Sequence, residues 1–148
     1  MDFAIPIPQY VGDDGFDAAG FRAHLARAEQ LGFHSAWVQQ QILELGSAPT
    51  LDPLGAMTYA AACTERLRLG CAVFVTPLHN PVHLAKAIAT LDNLSHGRVE
   101  VGVAAGGAAR PFAAFGIDPS VPVTRFNEGL ELMKALWTEP KITFDNRF

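Results

Sequence analysis

The sequence predicts an α/β fold in which parallel strands alternate with helices. The clearest unit runs over residues 66–102, which read RLRLGCAVFVTPLHNPVHLAKAIATLDNLSHGRVEVG. Its near-continuous apolar run at 67–75 is typical of a parallel strand that is covered on both faces. Asn80 and Pro81 then supply an N-cap and a first helical residue, and apolar residues recur at helical spacing beyond them. The next strand follows at 98–103, so this stretch is a complete strand–helix–strand unit.

The rest of the chain repeats that unit, and we expect a single domain over residues 1–148. Helix starts near Asp17 and at Asp52-Pro53 follow the same capping chemistry. The predicted strands cover about residues 3–8, 35–39, 67–75 and 98–103, and the predicted helices about 17–31, 53–64, 81–94 and 125–137. Residues 142–144 are consistent with a short strand that opens a hairpin, with its turn at Asp145-Asn146. This alternation implies parallel strands joined by right-handed crossovers.

Two architectures satisfy this alternation. A doubly wound open sheet is complete at 148 residues, whereas a (β/α)8 barrel needs about 250 residues, so the chain would be its first half. A glycine-rich dinucleotide fingerprint does not follow the first strand, because Ile5-Pro6-Ile7-Pro8 stands there. Composition does not choose between the two architectures.

Composition and charge narrow the classes of partner. The net charge is −4 and the sequence has no basic stripe, which argues against nucleic acid and anionic membranes. It has neither a signal-peptide pattern at its start nor an apolar run of about 20 residues. Cys63 and Cys71 form no CxxC pair, and His79 and His83 have no third ligand, so we expect no disulfide and no metal. We expect a cytoplasmic protein.

Three segments make a family resemblance visible. They are GFHSAWV at 32–38, TERLRLGCAVFVTPLHNPVHLAKAIATLDNLSHGRVEVGV at 64–103 and RFNEGLELMKALWTEP at 125–140. Together they resemble the luciferase-like monooxygenase superfamily, and within it the oxidoreductases that use the deazaflavin coenzyme F420. The resemblance implies a (β/α)8 barrel of about twice this length. We therefore expect the chain to be the N-terminal half of such a barrel and a portion of a longer enzyme.

The resemblance also implies a small-molecule substrate, a cofactor and residues that bind the cofactor. Relatives transfer a hydride with coenzyme F420, or use FMN for monooxygenation, and the cofactor carries the difficult chemistry. The family's third strand has a bulge with a non-prolyl cis peptide behind the ring, and it matches Ala72-Val73 here. Gly102, Gly106 and Gly107 match the end of the fourth strand beside the cofactor, and Gln9 would line the ring. The main loops for the cofactor phosphates belong to the second half of the family's barrel.

Two polar side chains are candidates for catalysis. His79 follows the third strand, and an imidazole with a pKa near 6.5 exchanges protons at neutral pH. Gln40 follows the second strand, where many relatives have an acidic residue or histidine; an amide orients a substrate but cannot act as a base. An exposed turn residue and a solvated loop are the alternative interpretations of these two positions.

A second hypothesis about function concerns assembly. Half a barrel leaves its first and fourth strands as unpaired edges, which proteins normally cover. Two chains could then pair through these edges into a non-catalytic or ligand-binding homodimer with two-fold symmetry. Phe112 and Phe115, in the loop after the fourth strand, are candidates to cover a ligand or an interface.

Overall fold

The computed structural model describes residues 1–43, 48–107, 109–118 and 120–145. Four strands and five helices alternate along these residues, with a 3-10 turn at Thr76–Leu78. The strands are β1 (Ala4–Pro6), β2 (Ser35–Val38), β3 (Arg68–Val75) and β4 (Val99–Ala104). The helices are α1 (Ala18–Gln30), α2 (Pro53–Cys63), α3 (Pro81–Leu94), α4 (Ala109–Ala114) and α5 (Pro122–Thr138).

The order of the strands distinguishes the two architectures that the sequence left open. All four strands are parallel and lie in the order β1-β2-β3-β4, so each pairs with its neighbours in sequence. A doubly wound sheet reverses its strand order at a switch point, whereas a barrel winds in one direction. The sheet is therefore the singly wound kind that the barrel prediction requires.

The two faces of the sheet differ in polarity. Ala36, Val38 and Leu69 belong to the buried cluster that includes apolar residues of α1, α2 and α3. Successive side chains of a strand point to opposite faces, so Ser35, Trp37 and Arg68 lie on the second face. Arg68 Nε lies 2.7 Å from Glu100 Oε1 on this second face. The apolar core thus lies between the sheet and the helices.

Local capping explains where three helices begin. The carboxylates of Asp17 and Asp52 and the amide oxygen of Asn80 each accept two backbone N–H bonds from the first turn of α1, α2 and α3. Proline occupies an early position of α2 and α3, where its missing N–H costs nothing. The predicted starts of these helices are confirmed.

Some predicted boundaries were wrong. β1 has three residues, not the predicted 3–8: Ile7 N still donates to Trp37 O, but beyond it the backbone groups of Gln39 bond to the Gln9 side chain instead of to the first strand. α5 begins at Pro122, three residues before the predicted start. α4 was not predicted, because its Gly-, Ala- and Pro-rich surroundings favour a loop. Residues 142–145 form no strand, and Asn146 of the proposed turn lies outside the described residues.

Two charged side chains join the segments at the amino-terminal ends of the strands. Arg98 is buried and donates to the carbonyl oxygens of Ala61, Thr64, Leu67 and Ser95 and to the Thr64 hydroxyl. Glu29 Oε1 accepts backbone N–H bonds from residues 65–67 at 2.6–3.0 Å. These bonds fix the turns before β3 and β4, so the register of both strands depends on them. In the described part of the chain, no helix is long and apolar enough to cross a membrane.

Candidate active site

The predicted site residues lie in β3 and β4 or follow the carboxyl ends of the strands. Gln9 follows β1 and Gln40 follows β2; His79 comes after the 3-10 turn that continues β3. The remaining members are Ala72 and Val73 in β3, Gly102 in β4, and Gly106 and Gly107 just beyond β4. In barrels built from parallel strands, this end of the sheet is the one that carries active sites.

Gln9 is tied to the backbone after β2. Its Nε2 donates to Gln39 O at 2.9 Å, and its Oε1 accepts from Gln39 N at 2.7 Å. Only 7% of Gln9 is exposed, so this reciprocal pair extends the contact between the first two strands. The predicted cofactor residue Gln9 therefore has a structural partner, and that partner is the residue directly before Gln40.

Gln40 connects β2 to the end of β3. Its Oε1 accepts a hydrogen bond from Val75 N at 2.6 Å, and its Nε2 lies 2.5 Å from His79 Nε2. The structure thus brings the two predicted catalytic residues into direct contact, although 39 positions separate them in sequence. Their side chains form one unit at the centre of the strand ends.

The surroundings of His79 favour the neutral imidazole. Burial lowers the pKa of His79 below its ordinary value of 6.5, and the nearby Asp52 carboxylate opposes that shift only in part. The ring also packs edge-on against Phe74, with the ring centres 6.3 Å apart. At neutral pH the side chain is therefore a polar, uncharged group.

The predicted bulge in β3 is confirmed. The register between β3 and β4 shifts between Cys71 and Phe74, and the peptide bond from Ala72 to Val73 is cis. Gly102 lies across from this bulge: a Cβ atom there would stand 2.5 Å from Cys71 O. Only glycine allows β4 to approach the bulge this closely, which explains the residue in structural terms.

The two glycines after β4 differ from each other. Gly106 has a φ of +77°, and a Cβ atom there would stand 2.7 Å from Val75 Cγ1 and 3.1 Å from Phe112 Cζ. At Gly107 no atom of the described residues outside its chain neighbours lies within 4 Å of the Cβ position. Phe112 is buried against this turn, while 45% of Phe115 is exposed. Of the two aromatic residues proposed as covers, only Phe115 has an open surface.

The chain also matches a known protein family over its whole length. A family model described as luciferase-like monooxygenase matches residues 1–148. The chain belongs to the luciferase-like monooxygenase family. Its fold class is accordingly that of the first four βα units of the (β/α)8 barrel, as the resemblance implied.

Similar proteins of the family are longer than this chain. An uncharacterized protein of Mycobacterium tuberculosis is 46% identical over 99 residues, which cover 67% of this chain and 35% of that protein. An F420-dependent glucose-6-phosphate dehydrogenase of Beutenbergia cavernae is 37% identical over 135 residues, which cover 85% and 39%. The crystal structure of monooxygenase RslO1 from Streptomyces bottropensis superposes with a TM-score of 0.85 at 30% identity, covering 100% of this chain and 46% of that one. The chain spans between about a third and a half of these proteins.

Two residues beside His79 in this luciferase-like chain, Thr76 and Arg125, were not predicted to belong to the site. The Thr76 hydroxyl is buried and has no hydrogen-bond partner among the described residues. Arg125 of α5 donates from Nε to Pro77 O at 2.8 Å. Both line a cavity of about 10 Å³ beside His79, which has room for about one water molecule. Thr76 stands in the turn motif that the sequence singled out, whereas Arg125 begins the resemblance segment at 125–140, 48 residues after Pro77, and nothing in the sequence places it beside His79.

The remaining reactive side chains are less suited to chemistry. Cys71 is buried, and burial raises the pKa of its thiol to about 12, with a smaller contribution from Asp52. Cys63 and Cys71 are both free thiols. Across the described ranges, His, Cys, Asp and Glu side chains form no group of three that could hold a metal ion. The predicted site residues are therefore neutral polar groups and small residues, with Arg125 as a charged neighbour.

Proposed function

We propose that this chain supplies the ring-binding half of the active site of a deazaflavin-dependent oxidoreductase, with coenzyme F420 as the cofactor and hydride transfer as the reaction. The bulge at Ala72-Val73, with Gln40 and His79 at the same end of the sheet, carries the proposal. Identity to a dehydrogenase named as F420-dependent supports it. FMN and monooxygenation are the alternative within the same family.

The small residues fit a flat ring. Ala72 is exposed, and it carries only a methyl group at the point where β3 bulges. Gly102 and Gly107 add no side chain, and the described residues leave space at the Cβ position of Gly107. A planar ligand needs such a surface, because a long side chain would hold it away from the backbone. Ala72, Val73, Gly102 and Gly107 would therefore back the ring.

Each part of the chain has a separate task in this proposal. When bound, the deazaflavin accepts or gives a hydride at a ring carbon. Ala72 and Val73 set the plane of the ring, and Gln9 holds the strand end at Gln39 in place through two hydrogen bonds. Gln40 and His79 offer polar hydrogen atoms at the same edge. Proximity and orientation of this kind account for much of the rate that enzymes gain.

Titration of the 148-residue chain with oxidised F420 and separately with FMN tests the proposal. We expect quenching of deazaflavin fluorescence, and weakening of F420 binding by tenfold or more in Ala72→Leu, because the larger side chain occupies the ring surface. Ala62→Leu, on an exposed position of α2, is the matched control and should bind as the unchanged chain does. Binding of FMN alone would favour the monooxygenase alternative. Equal binding by both leucine variants would contradict the assignment of the ring surface.

The second candidate is the homodimer. β1 and β4 are the outer strands of the sheet, each with one strand neighbour in the described residues, and Val101 of β4 is 36% exposed. A charge on an edge strand opposes pairing with another edge. If the edges pair, Val101→Lys should shift a dimer to a monomer in native mass spectrometry, while Val123→Lys on the exposed side of α5 should not. A monomer at every concentration of the unchanged chain would exclude this candidate.

A further inference from the structure

The hydrogen bonds of Gln40 determine which way its amide faces. A backbone N–H can only donate, so the atom of Gln40 that lies 2.6 Å from Val75 N is the carbonyl oxygen. The amide nitrogen then faces His79 Nε2. Since an amide nitrogen donates and does not accept, His79 Nε2 must be the unprotonated nitrogen of the ring. The proton of the neutral imidazole is consequently on Nδ1.

Two charged groups near His79 come from other elements. Asp52 approaches from the start of α2, but its Oδ1 already accepts the N–H groups of Leu54 and Gly55. Arg125 approaches from α5 and donates to Pro77 O. Burial keeps the pKa of His79 low in spite of the carboxylate. Within the described part of the chain, the ring of His79 has its one hydrogen-bond contact at Nε2, and Nδ1 has none.

We propose that Gln40 is a positioning residue that fixes His79 as the Nδ1–H tautomer, so that His79 offers a ligand oxygen a hydrogen-bond donor and no base. The identity of the ligand rests on the proposed function: the oxygen belongs to a carbonyl group, either of the deazaflavin ring or of the substrate. In the substrate case the chain favours carbonyl reduction. The C=O electron pair moves to oxygen as a hydride from the reduced deazaflavin forms the new C–H bond, the deazaflavin is oxidised, and solvent supplies the proton.

Nitrogen-15 NMR of the histidine-labelled chain tests the tautomer without any cofactor. His79 is identified by the signals that disappear in His79→Gln. At pH 7 we expect Nδ1 to carry the proton in the unchanged chain, whereas free histidine prefers the other tautomer. Gln40→Glu keeps an acceptor for Val75 N–H but replaces the donor that faces His79 by a second acceptor. That variant should move the proton to Nε2 and raise the pKa of His79 by about 1 or more.

Matched variants separate this effect from charge and from loss of folding. Gln30→Glu makes the same change at an exposed position near the opposite end of the sheet and should leave the His79 signals unchanged. Gln40→Met removes the donor without adding charge and should give a mixture of tautomers in a chain whose other signals stay in place. A protonated Nε2 in the unchanged chain, or the same tautomer in all four proteins, would overturn the role of Gln40.

Ligand titrations then test the donor. F420 alone shifts the His79 Nδ1–H signal if the ring carbonyl is the acceptor; reduced F420 with butanone shifts it further if the acceptor is the substrate. No shift in either titration, although fluorescence shows that F420 binds, would overturn the donor role. Failure of F420 to bind would instead count against the proposed function, and the tautomer would still be decided by the spectra of the free chain.

Discussion

The two ends of the sheet hold their polar groups in different ways. At the amino-terminal ends, Arg98 and Glu29 are charged, and their described bonds are to backbone groups and one hydroxyl. At the carboxyl ends, Gln9, Gln40 and His79 are amides and an imidazole that bond across strands, and Thr76 lacks a partner among the described residues. The first arrangement stabilises turns, whereas the second leaves donors for a ligand. We therefore expect substitutions at the amino-terminal ends of the strands to cost more stability than substitutions at the carboxyl ends.

Arg98→Met should give the largest effect. The substitution leaves the carbonyl oxygens of Ala61, Thr64, Leu67 and Ser95 without their described donor, so we expect the free energy of unfolding to fall by about 3 kcal/mol. Urea denaturation measures the change. Arg66→Met, at an exposed position, is the control and should change stability little. Equal stability of the two variants would contradict the claim that the polar groups at the amino-terminal ends of the strands stabilise the fold.

Gly102→Ala tests whether the bulge in β3 leaves room for a side chain at position 102 of β4. Its Cβ would stand 2.5 Å from Cys71 O, a backbone atom that cannot move aside, and we expect a loss of about 2 kcal/mol in the free energy of unfolding. Gly107→Ala adds the same methyl group at a position where the described part of the chain has no contact within 4 Å. The difference between their thermal unfolding midpoints separates a packing constraint from an open ligand surface. Similar midpoints would mean that β4 can shift away from β3.

Glu29→Gln should show the electrostatic character of the amino-terminal end. Burial raises the pKa of Glu29, but three backbone N–H bonds outweigh it, and the pKa lies below the ordinary value of 4.5. The carboxylate therefore stabilises the fold above pH 4.5, and that contribution is lost as the pH falls through the lower folded pKa. We expect the variant to be about 1–2 kcal/mol less stable at pH 7 and to lose less stability on acidification.

The check on Glu29 is a set of urea midpoints between pH 7 and pH 3. Glu65→Gln, which changes an exposed carboxylate nearby, serves as its control. It should keep the pH dependence of the unchanged chain. If Glu29→Gln also keeps it, another group is responsible for the acid sensitivity.

Thr76→Val should have the smallest effect, with the opposite sign. Valine keeps the shape of threonine and removes a buried hydroxyl that has no partner among the described residues, so we expect a gain of about 1 kcal/mol in the free energy of unfolding. Thr76→Ser keeps the hydroxyl and is the comparison. Loss of stability in the valine variant would indicate that the hydroxyl binds a water in the adjoining cavity.

Local signals predicted most of the fold. Helix starts are marked by Asp17, Asp52-Pro53 and Asn80-Pro81. The capping side chains bond to backbone N–H groups only two or three residues further along, so these signals are local and can be recognised in the sequence. α4 was missed because the Gly-, Ala- and Pro-rich segment around it resembles a loop. The strand order could not follow from alternation alone, since barrels and doubly wound sheets alternate in the same way.

The candidate site was predicted as a set of positions, not as a network. Gln40 and His79 were both named, but their contact depends on the register between β2 and β3. Arg98, in contrast, was not named. From the sequence alone, a buried arginine that precedes a strand cannot be distinguished from a solvated one. Pairing across strands and burial of charge depend on the whole fold, and they are what sequence patterns omit.

The indole of Trp37 lies against Gly70, where a Cβ atom would stand 2.6 Å from the ring, and its Nε1 donates to Ser35 Oγ at 2.8 Å. Gly70 is two residues before Ala72 on the same strand. Trp37 is thus a natural optical reporter for this strand, close enough for energy transfer to any flavin-like chromophore bound there. The other tryptophan, Trp137, is 40% exposed on α5. A Trp137→Phe chain would therefore emit from a single position, and its lifetime would report binding without an added dye.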